Sequence, residues 1–400
     1  MRLTVPIALC LLLAALAAGC GSGAGSSAGT AARPPRAKAG HAHAAAPQAP
    51  PDPHEVSRAE LLSAREGWAY TASGRLAWTT DAGRHWSPVA LPEPVRDRIA
   101  GIEFSDAEHG CVAYLVDPAH HPHFQVYATA DRGRTWTRTR LPGQTLLAIV
   151  GVAFSFATPR HGWAEAGEME AAGFRGSATV WETRDGGSSW RRLPEPPVGG
   201  PIELLRGGEA WLAPSGNEER WLYRTIDDGR SWRKVTVRPP FAVKGAGEVS
   251  YGLPTIAPDG SGLLPMLFNH HERTSVGIYE TADRGAYWRR GPLVELKGEI
   301  GAGNGFPAAT VLGPDAVLVA DPGSPKVTVL RPGGGAGSRR TFKPHGLGGP
   351  GLSFPEFADR RHGIAVLNEE RCVRTTGCDL EDNLYWTADG GRSWRRRGRP

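Results

Sequence analysis

Residues 129–136 read Thr-Ala-Asp-Arg-Gly-Arg-Thr-Trp, and the pattern Thr-x-Asp-x-Gly-x-x-Trp returns at 79–86 (TTDAGRHW), 183–190 (TRDGGSSW), 225–232 (TIDDGRSW), 281–288 (TADRGAYW) and 387–394 (TADGGRSW). Successive octets start 50, 54, 42, 56 and 106 residues apart. Because 106 is twice 53, one unit is expected to have lost its octet; it is placed near Lys326 to Phe342, where a strand-like run begins at Thr328 without the Asp or Trp. Seven units of about 50 residues in a Gly-rich chain with short apolar runs predict a repeat array of the propeller kind.

The residue types within each octet describe a hairpin corner. Thr ends one strand, the Asp carboxylate accepts turn N–H groups, and Gly supplies the positive φ of a tight turn. Trp opens the next strand with its ring against a neighbouring unit. This makes Asp81, Gly83, Trp86, Asp131, Gly133, Trp136, Asp185, Gly187, Trp190, Asp227, Gly229, Trp232, Asp283, Gly285, Trp288, Asp389, Gly391 and Trp394 structural. The remaining Trp also fall in strands, so all 13 are expected in the core. A short apolar strand precedes the octets as Gly67-Trp68-Ala69, Gly110-Cys111-Val112, Gly162-Trp163-Ala164 and Gly363-Ile364-Ala365, with Ala210-Trp211-Leu212 a looser copy. Runs before it, such as 99–104, would be innermost. Unit two then has strands at 99–104, 111–116, 124–129 and 136–141, the four of one propeller blade.

The octet resembles the Asp-box, or BNR repeat. Together with the HGW-A strand it makes residues 56–400 similar to photosystem II stability and assembly factor-like propellers and to the sortilin family's propeller. The resemblance implies an all-β, seven-bladed β-propeller of four-stranded antiparallel blades, with the Asp-box in the third turn of most blades. It implies no single activity, because Asp-boxes also occur in sialidases and xyloglucanase-type glycosidases, where the turn is structural and away from the catalytic residues. No octet Asp is therefore read as catalytic.

Composition excludes other classes. The chain has 400 residues with 53 Gly, 34 Pro and 22% charged residues, which is no coiled coil, and at 40% hydrophobic it has material for a core. The net charge of +5 comes from 40 Arg and 6 Lys spread along the chain, so no nucleic-acid partner is expected. Arg191, Arg192, Arg233, Arg289, Arg290 and Arg395 to Arg397 follow octet Trps and would charge the outermost strands against sheet-to-sheet association.

The N-terminus carries Met1-Arg2, an apolar run to Ala18, then Gly19-Cys20. Residues 16–20 resemble the lipobox of bacterial lipoproteins, with Ala17 where Leu is commoner; a simple secretory signal is the alternative. The expected organisation is a signal at 1–19, an Ala/Gly/Ser/Pro-rich tether at 20–55 beginning with a lipid on Cys20, and the propeller at 56–400. That places the protein outside the cytoplasm on the bacterial cell membrane, or the outer membrane where there is one. Cys372 and Cys378 are suited to a disulfide closing a short loop in an oxidising compartment, and Cys111 to a buried inert thiol.

With the octets in the third turn, the second turns and blade connections share the opposite face, where long polar segments are expected as loops: 117–124, 166–177, 215–220, 269–274, 321–326 and 368–383. This is the expected binding face. Its candidate residues are His120, His121, His123, Glu218, Glu219, Arg220, His270, His271, Glu272, Arg273, Glu369, Glu370 and Arg371. The Glu and Arg residues suit charge-assisted bonds to a peptide or sugar. The histidines sit in nearly opposite blades, so neither a metal nor another cofactor is expected. His109, His161 and His362 recur before Gly and are read as turn residues. The expected function is a monomeric, lipid-anchored binding or assembly scaffold for an envelope protein, peptide or glycan. The alternative is a glycoside hydrolase drawing two carboxylates from Glu168, Glu170, Glu218, Glu219, Glu272, Glu369 and Glu370. No Phe-Arg-Ile-Pro segment supports a sialidase, whose propellers usually have six blades.

Overall fold

The computed structural model describes residues 56–71, 74–92, 99–117, 121–143, 151–170, 173–214, 221–238, 248–270, 273–297, 309–321, 324–335, 337–347, 355–373 and 377–397. The signal and tether expected at 1–55 lie outside them. The described residues form seven antiparallel sheets, and no helix among them is long and apolar enough to cross a membrane.

Blade one is β1 (Val56–Leu61), β2 (Gly67–Thr71), β3 (Leu76–Thr79) and β4 (Ser87–Val89); blade two is β5 (Ile99–Phe104), β6 (Gly110–Val116), β7 (His123–Thr129) and β8 (Thr137–Arg140). Blade three is β9 (Ala153–Phe156), β10 (Gly162–Glu170), β11 (Gly173–Thr183) and β12 (Arg191–Arg192). Blade four is β13 (Ile202–Leu204), β14 (Ala210–Leu212), β15 (Leu222–Thr225) and β16 (Arg233–Val235). Blade five has β17 (Glu248–Tyr251) and β18 (Thr255–Ile256) side by side on β19 (Gly262–His270), followed by β20 (Arg273–Thr281) and β21 (Arg289–Glu295). Blade six is β22 (Ala309–Gly313), β23 (Ala316–Ala320), β24 (Val327–Leu330) and β25 (Arg339–Phe342); blade seven is β26 (Glu356–Phe357), β27 (Gly363–Val373), β28 (Gly377–Thr387) and β29 (Arg395–Arg397). The unit without an octet is thus a complete blade, with β24 and β25 where it was expected.

First strands neighbour one another, β5 on β9, β9 on β13, β22 on β26 and β26 on β1, so they ring the centre and the ring closes between blades seven and one. Every blade is contiguous in sequence, so no strand is shared at closure. The core follows the same plan, with one hydrophobic cluster at each of the seven junctions. At the junction of blades four and five, Trp211 of β14 stands edge to face on Trp288, 6.0 Å between centroids. The closing junction is built from smaller side chains, Val56, Ala59, Leu61, Ala69, Ile364 and Leu384, with Trp86 and Trp386 only partly buried against them.

Three expectations need correction. Segments 166–177, 269–274 and 368–383 were expected as loops, yet most of their residues are strand, prolonging the hairpins β10–β11, β19–β20 and β27–β28. Their backbone N–H and C=O groups pair across the hairpin, which satisfies them without requiring an apolar sequence. Not every Trp is core: Trp221 is 36% exposed, just before β15, with Lys234 Nζ 5.3 Å from its ring centroid. The octet Trps also precede rather than open the fourth strands. Arg191, Arg192, Arg233, Arg289, Arg290, Arg395 and Arg396 are exposed on fourth strands, as expected for charged edges.

Candidate functional site

All six octets lie between a third and a fourth strand and share one hydrogen-bond scheme. In blade one, the Gly83 N–H donates to Thr79 Oγ1 (2.8 Å), Thr79 Oγ1 donates to Asp81 Oδ1 (3.0 Å), and the His85 N–H donates to the same oxygen (2.9 Å). Where position seven is Ser or Thr, its hydroxyl donates to the second Asp oxygen: Thr135 to Asp131 and Ser189 to Asp185 at 2.6 Å, for example. The residue after each Asp has positive φ, and its N–H donates to a carbonyl of the first turn in the same blade, as Ala82 does to Arg65 (2.8 Å) and Asp228 to Gly208 (2.9 Å). First and third turns are thus stitched into one face. Burial pushes the Asp81 carboxyl up, but bonds from His85 and Thr79 outweigh it and hold it at about 2. At Asp227 the Ser231 hydroxyl and N–H hold it at about 2 as well. Each octet Asp is occupied by hydrogen bonds of its own corner rather than left as a free base.

The turn histidines behave as read. His109 bonds through Nδ1 to Asp106 (2.8 Å) and His362 to Asp359 (2.8 Å). His161 differs, lying 3.0 Å from Glu182 and 3.8 Å from Asp228, three potential ligand atoms within 4.8 Å of one another. Arg184 bridges the two carboxylates at 2.6 and 2.9 Å, and Arg191 also pairs with Glu182, so this is an ion-pair network tying blade three to blade four. Cys111 is fully buried, and burial pushes its thiol up, away from reactivity.

On the opposite face, His121 is exposed and His123 starts β7 half-buried. His120, Glu218, Glu219, Arg220, His271 and Glu272 lie outside the described residues, as do the side chains of His270, Arg273, Glu369, Glu370 and Arg371. Their backbones put His270 opposite Arg273, Glu369 opposite Glu381 and Arg371 opposite Asp379. Cys372 stands opposite Cys378 in the same register; the proposed bond concerns side chains outside the description. Two hairpins outrun their neighbours. β26 pairs only with Gly363 and Ile364, and β29 only with Leu384 to Trp386, so among the described residues the far arms of β27 and β28 pair only with each other. In blade three the Ala166–Glu168 stretch of β10 likewise pairs only with β11.

A second constellation was missed in the sequence. The first-strand residue paired with the strand-two position of Trp68 is Glu60; its counterparts are Glu103, Ser155, Glu203, Thr255, Thr310 and Glu356. Seven first strands thus carry one polar residue each at the same register position around the centre, a tier near the corner face, and four of these, Glu60, Glu103, Glu203 and Glu356, lie close enough for the other three charges to act on Glu103. Arg58 Nη2 lies 3.7 Å from both Glu60 and Glu103, while its Nη1 donates to the Ile102 carbonyl (3.1 Å). Burial first, then the charges of Glu60, Glu356 and Glu203, push Glu103 well above the ordinary carboxylate range against Arg58. Burial and Glu60 push Glu356 up to about 8. The signal was present as a recurring apolar-Glu-apolar triplet: Ala59-Glu60-Leu61, Ile102-Glu103-Phe104, Ile202-Glu203-Leu204 and Pro355-Glu356-Phe357.

No protein-family model matches the chain, and no curated protein matches it. Among solved structures it is similar to YCF48 bound to D1 peptide, at 14% identity and a TM-score of 0.50, over 87% of this chain and 94% of that one. It is also similar to YCF48 from Cyanidioschyzon merolae (17% identity, TM-score 0.48, 76% and 86% covered) and to an ancestral GH74 enzyme (13%, 0.48, 88% and 47%). At such identity the first likeness speaks for the fold alone.

Proposed function

We propose that the chain is a binding propeller, anchored outside the cytoplasm by lipid on Cys20, that receives an extended basic segment of an envelope protein along the hairpin β27–β28. The observation that carries this reading is the open edge of that hairpin, whose far arms have no third strand among the described residues. Such an edge offers a row of backbone donors and acceptors to which an extended peptide can add as a strand. The arms contain Glu369, Glu370, Asp379, Glu381 and Asp382 against Arg371, which favours a basic partner. The octets, read as Asp-box corners, build the opposite face and leave this one to the ligand. YCF48, which shares the fold, is known bound to a D1 peptide, in keeping with peptide recognition on such a scaffold.

The test is crosslinked capture of a specific envelope protein from whole cells. Capture should be lost when 367–383 is replaced by a two-residue turn, and reduced when Glu219, Arg220, Glu370 and Arg371 become Ala. Capture unaffected by both changes would refute the reading. A hydrolase would draw not on the loop carboxylates expected from the sequence but on the channel tier, where a Glu356 raised to about 8 would be protonated at neutral pH, as a general acid requires. Turnover of chromogenic glycosides, abolished by Glu356→Gln, would favour it.

A further inference from the structure

We propose that the carboxylate tier at the corner-face end of the channel is a binding site for an organic cation, the ammonium or guanidinium head of a small molecule or of a Lys or Arg side chain. The blade itself does not require an acid at this position: Ser155, Thr255 and Thr310 fill it in blades three, five and six, Ser155 Oγ accepting the Leu204 N–H at 2.9 Å. Blades one, two, four and seven nonetheless place Glu60, Glu103, Glu203 and Glu356 there. Glu103 carries the argument. Its side chain is 5% exposed, and its Oε1 is buried without a hydrogen-bond partner. Arg58, at 3.7 Å, is too distant for a hydrogen bond to Glu103. A buried carboxyl oxygen facing other acids is retained at a cost unless a donor reaches it.

The missing donor is an N–H group rather than a metal ion. Among the described residues only His161, Glu182 and Asp228 bring three ligand atoms within 4.8 Å of one another, so the tier lacks the close oxygen set that a bare cation needs. An ammonium or guanidinium head spreads several N–H donors over a wider ring. Glu60 and Glu356 are half-buried, so water reaches the tier. This site is independent of the hairpin edge and of any peptide bound there.

Isothermal titration of the full chain with agmatine, the tripeptide Gly-Arg-Gly, tetramethylammonium and calcium chloride tests it. Agmatine should bind, and tetramethylammonium, which has the charge but no N–H, should not. Glu103→Gln and Glu203→Gln should each weaken agmatine about tenfold, the factor expected from one charge-assisted bond, while exposed Glu195→Gln leaves it unchanged. Both tier variants should keep the native melting temperature or raise it. Binding by the tripeptide as well would support a protein side chain as the source, and binding by agmatine alone a free small cation. Equal affinity in both tier variants, equal heat from tetramethylammonium, or a response to calcium alone would overturn the proposal.

Discussion

Gly187 of blade three meets Cys111 of blade two across their junction: a Cβ on Gly187 would stand 2.7 Å from Cys111 Sγ and 3.0 Å from Ala128 Cβ. The same meeting recurs around the ring, Gly229 against Trp163, Gly285 against Trp211 and Gly391 against Leu318. The octet glycine is therefore a seat for the preceding blade as well as a turn residue, with φ of 93° at Gly187. Gly187→Ala should cost about 2–4 kcal/mol, combining the left-handed backbone with overpacking. Gly207 has a positive φ but nothing within 4 Å of its Cβ, so Gly207→Ala should cost only about 1–2 kcal/mol. Urea midpoints of the two variants measure the difference, and equal losses would show that the junction contributes nothing.

Acid should open the corners. Asp81 and Asp227 are held at about 2, and Asp131, Asp185, Asp283 and Asp389 are lowered by the same kinds of bond. A carboxyl depressed on folding stabilises fully above its unfolded value, about 4, and that contribution disappears as pH falls through the folded value. Melting temperature should therefore drop steeply between about pH 4 and 2. Asp227→Asn should lower stability at pH 7 and shrink the drop.

Raising the pH above the carboxylate range should weaken the molecule for the opposite reason. Glu165 is pushed up to about 8 by burial, against a 3.3 Å bond from the Gly200 N–H. The folded state holds a proton that the unfolded state releases, so stability falls as pH rises from the ordinary Glu value, about 4.3, towards 8. Glu165→Gln keeps an acceptor for Gly200 and removes the ionisation. It should melt at least about 3 °C higher than the parent at pH 8 and no higher at pH 4. A shift independent of pH would exclude this carboxyl as the cause.

The closing junction should fail first. Leu384→Ala removes a fully buried side chain there and should cost about 2–5 kcal/mol. Because that junction packs smaller side chains than the others and joins the two ends of the propeller, amide exchange should accelerate in β1 and β28 before the rest. Acceleration spread evenly over all blades would contradict it.

The octets and the HGW-like strands made the blade count and strand order readable, because a Thr, an Asp, a Gly and a Trp in fixed order dictate one corner geometry. The unit without an octet, blade six, was found from the doubled spacing and the run at Thr328; in it Thr328 and Thr341 hydroxyls pair across β24 and β25 at 2.9 Å. The long hairpins were not readable. Segments such as 368–371 are polar on every residue, so no alternation distinguishes a strand from a loop. The tier was hidden for another reason: Glu60, Glu103, Glu203 and Glu356 are far apart in sequence and align only once each first strand is registered against its second.

Because each sheet is made from consecutive residues, a chain emerging end first can complete one blade before the next has appeared. No blade has to wait, exposed, for a strand hundreds of residues away. Only the last contact between beginning and end is deferred. The ends could accordingly be rejoined by a short linker and a new start cut at another blade junction, yielding a circular permutant with the same architecture.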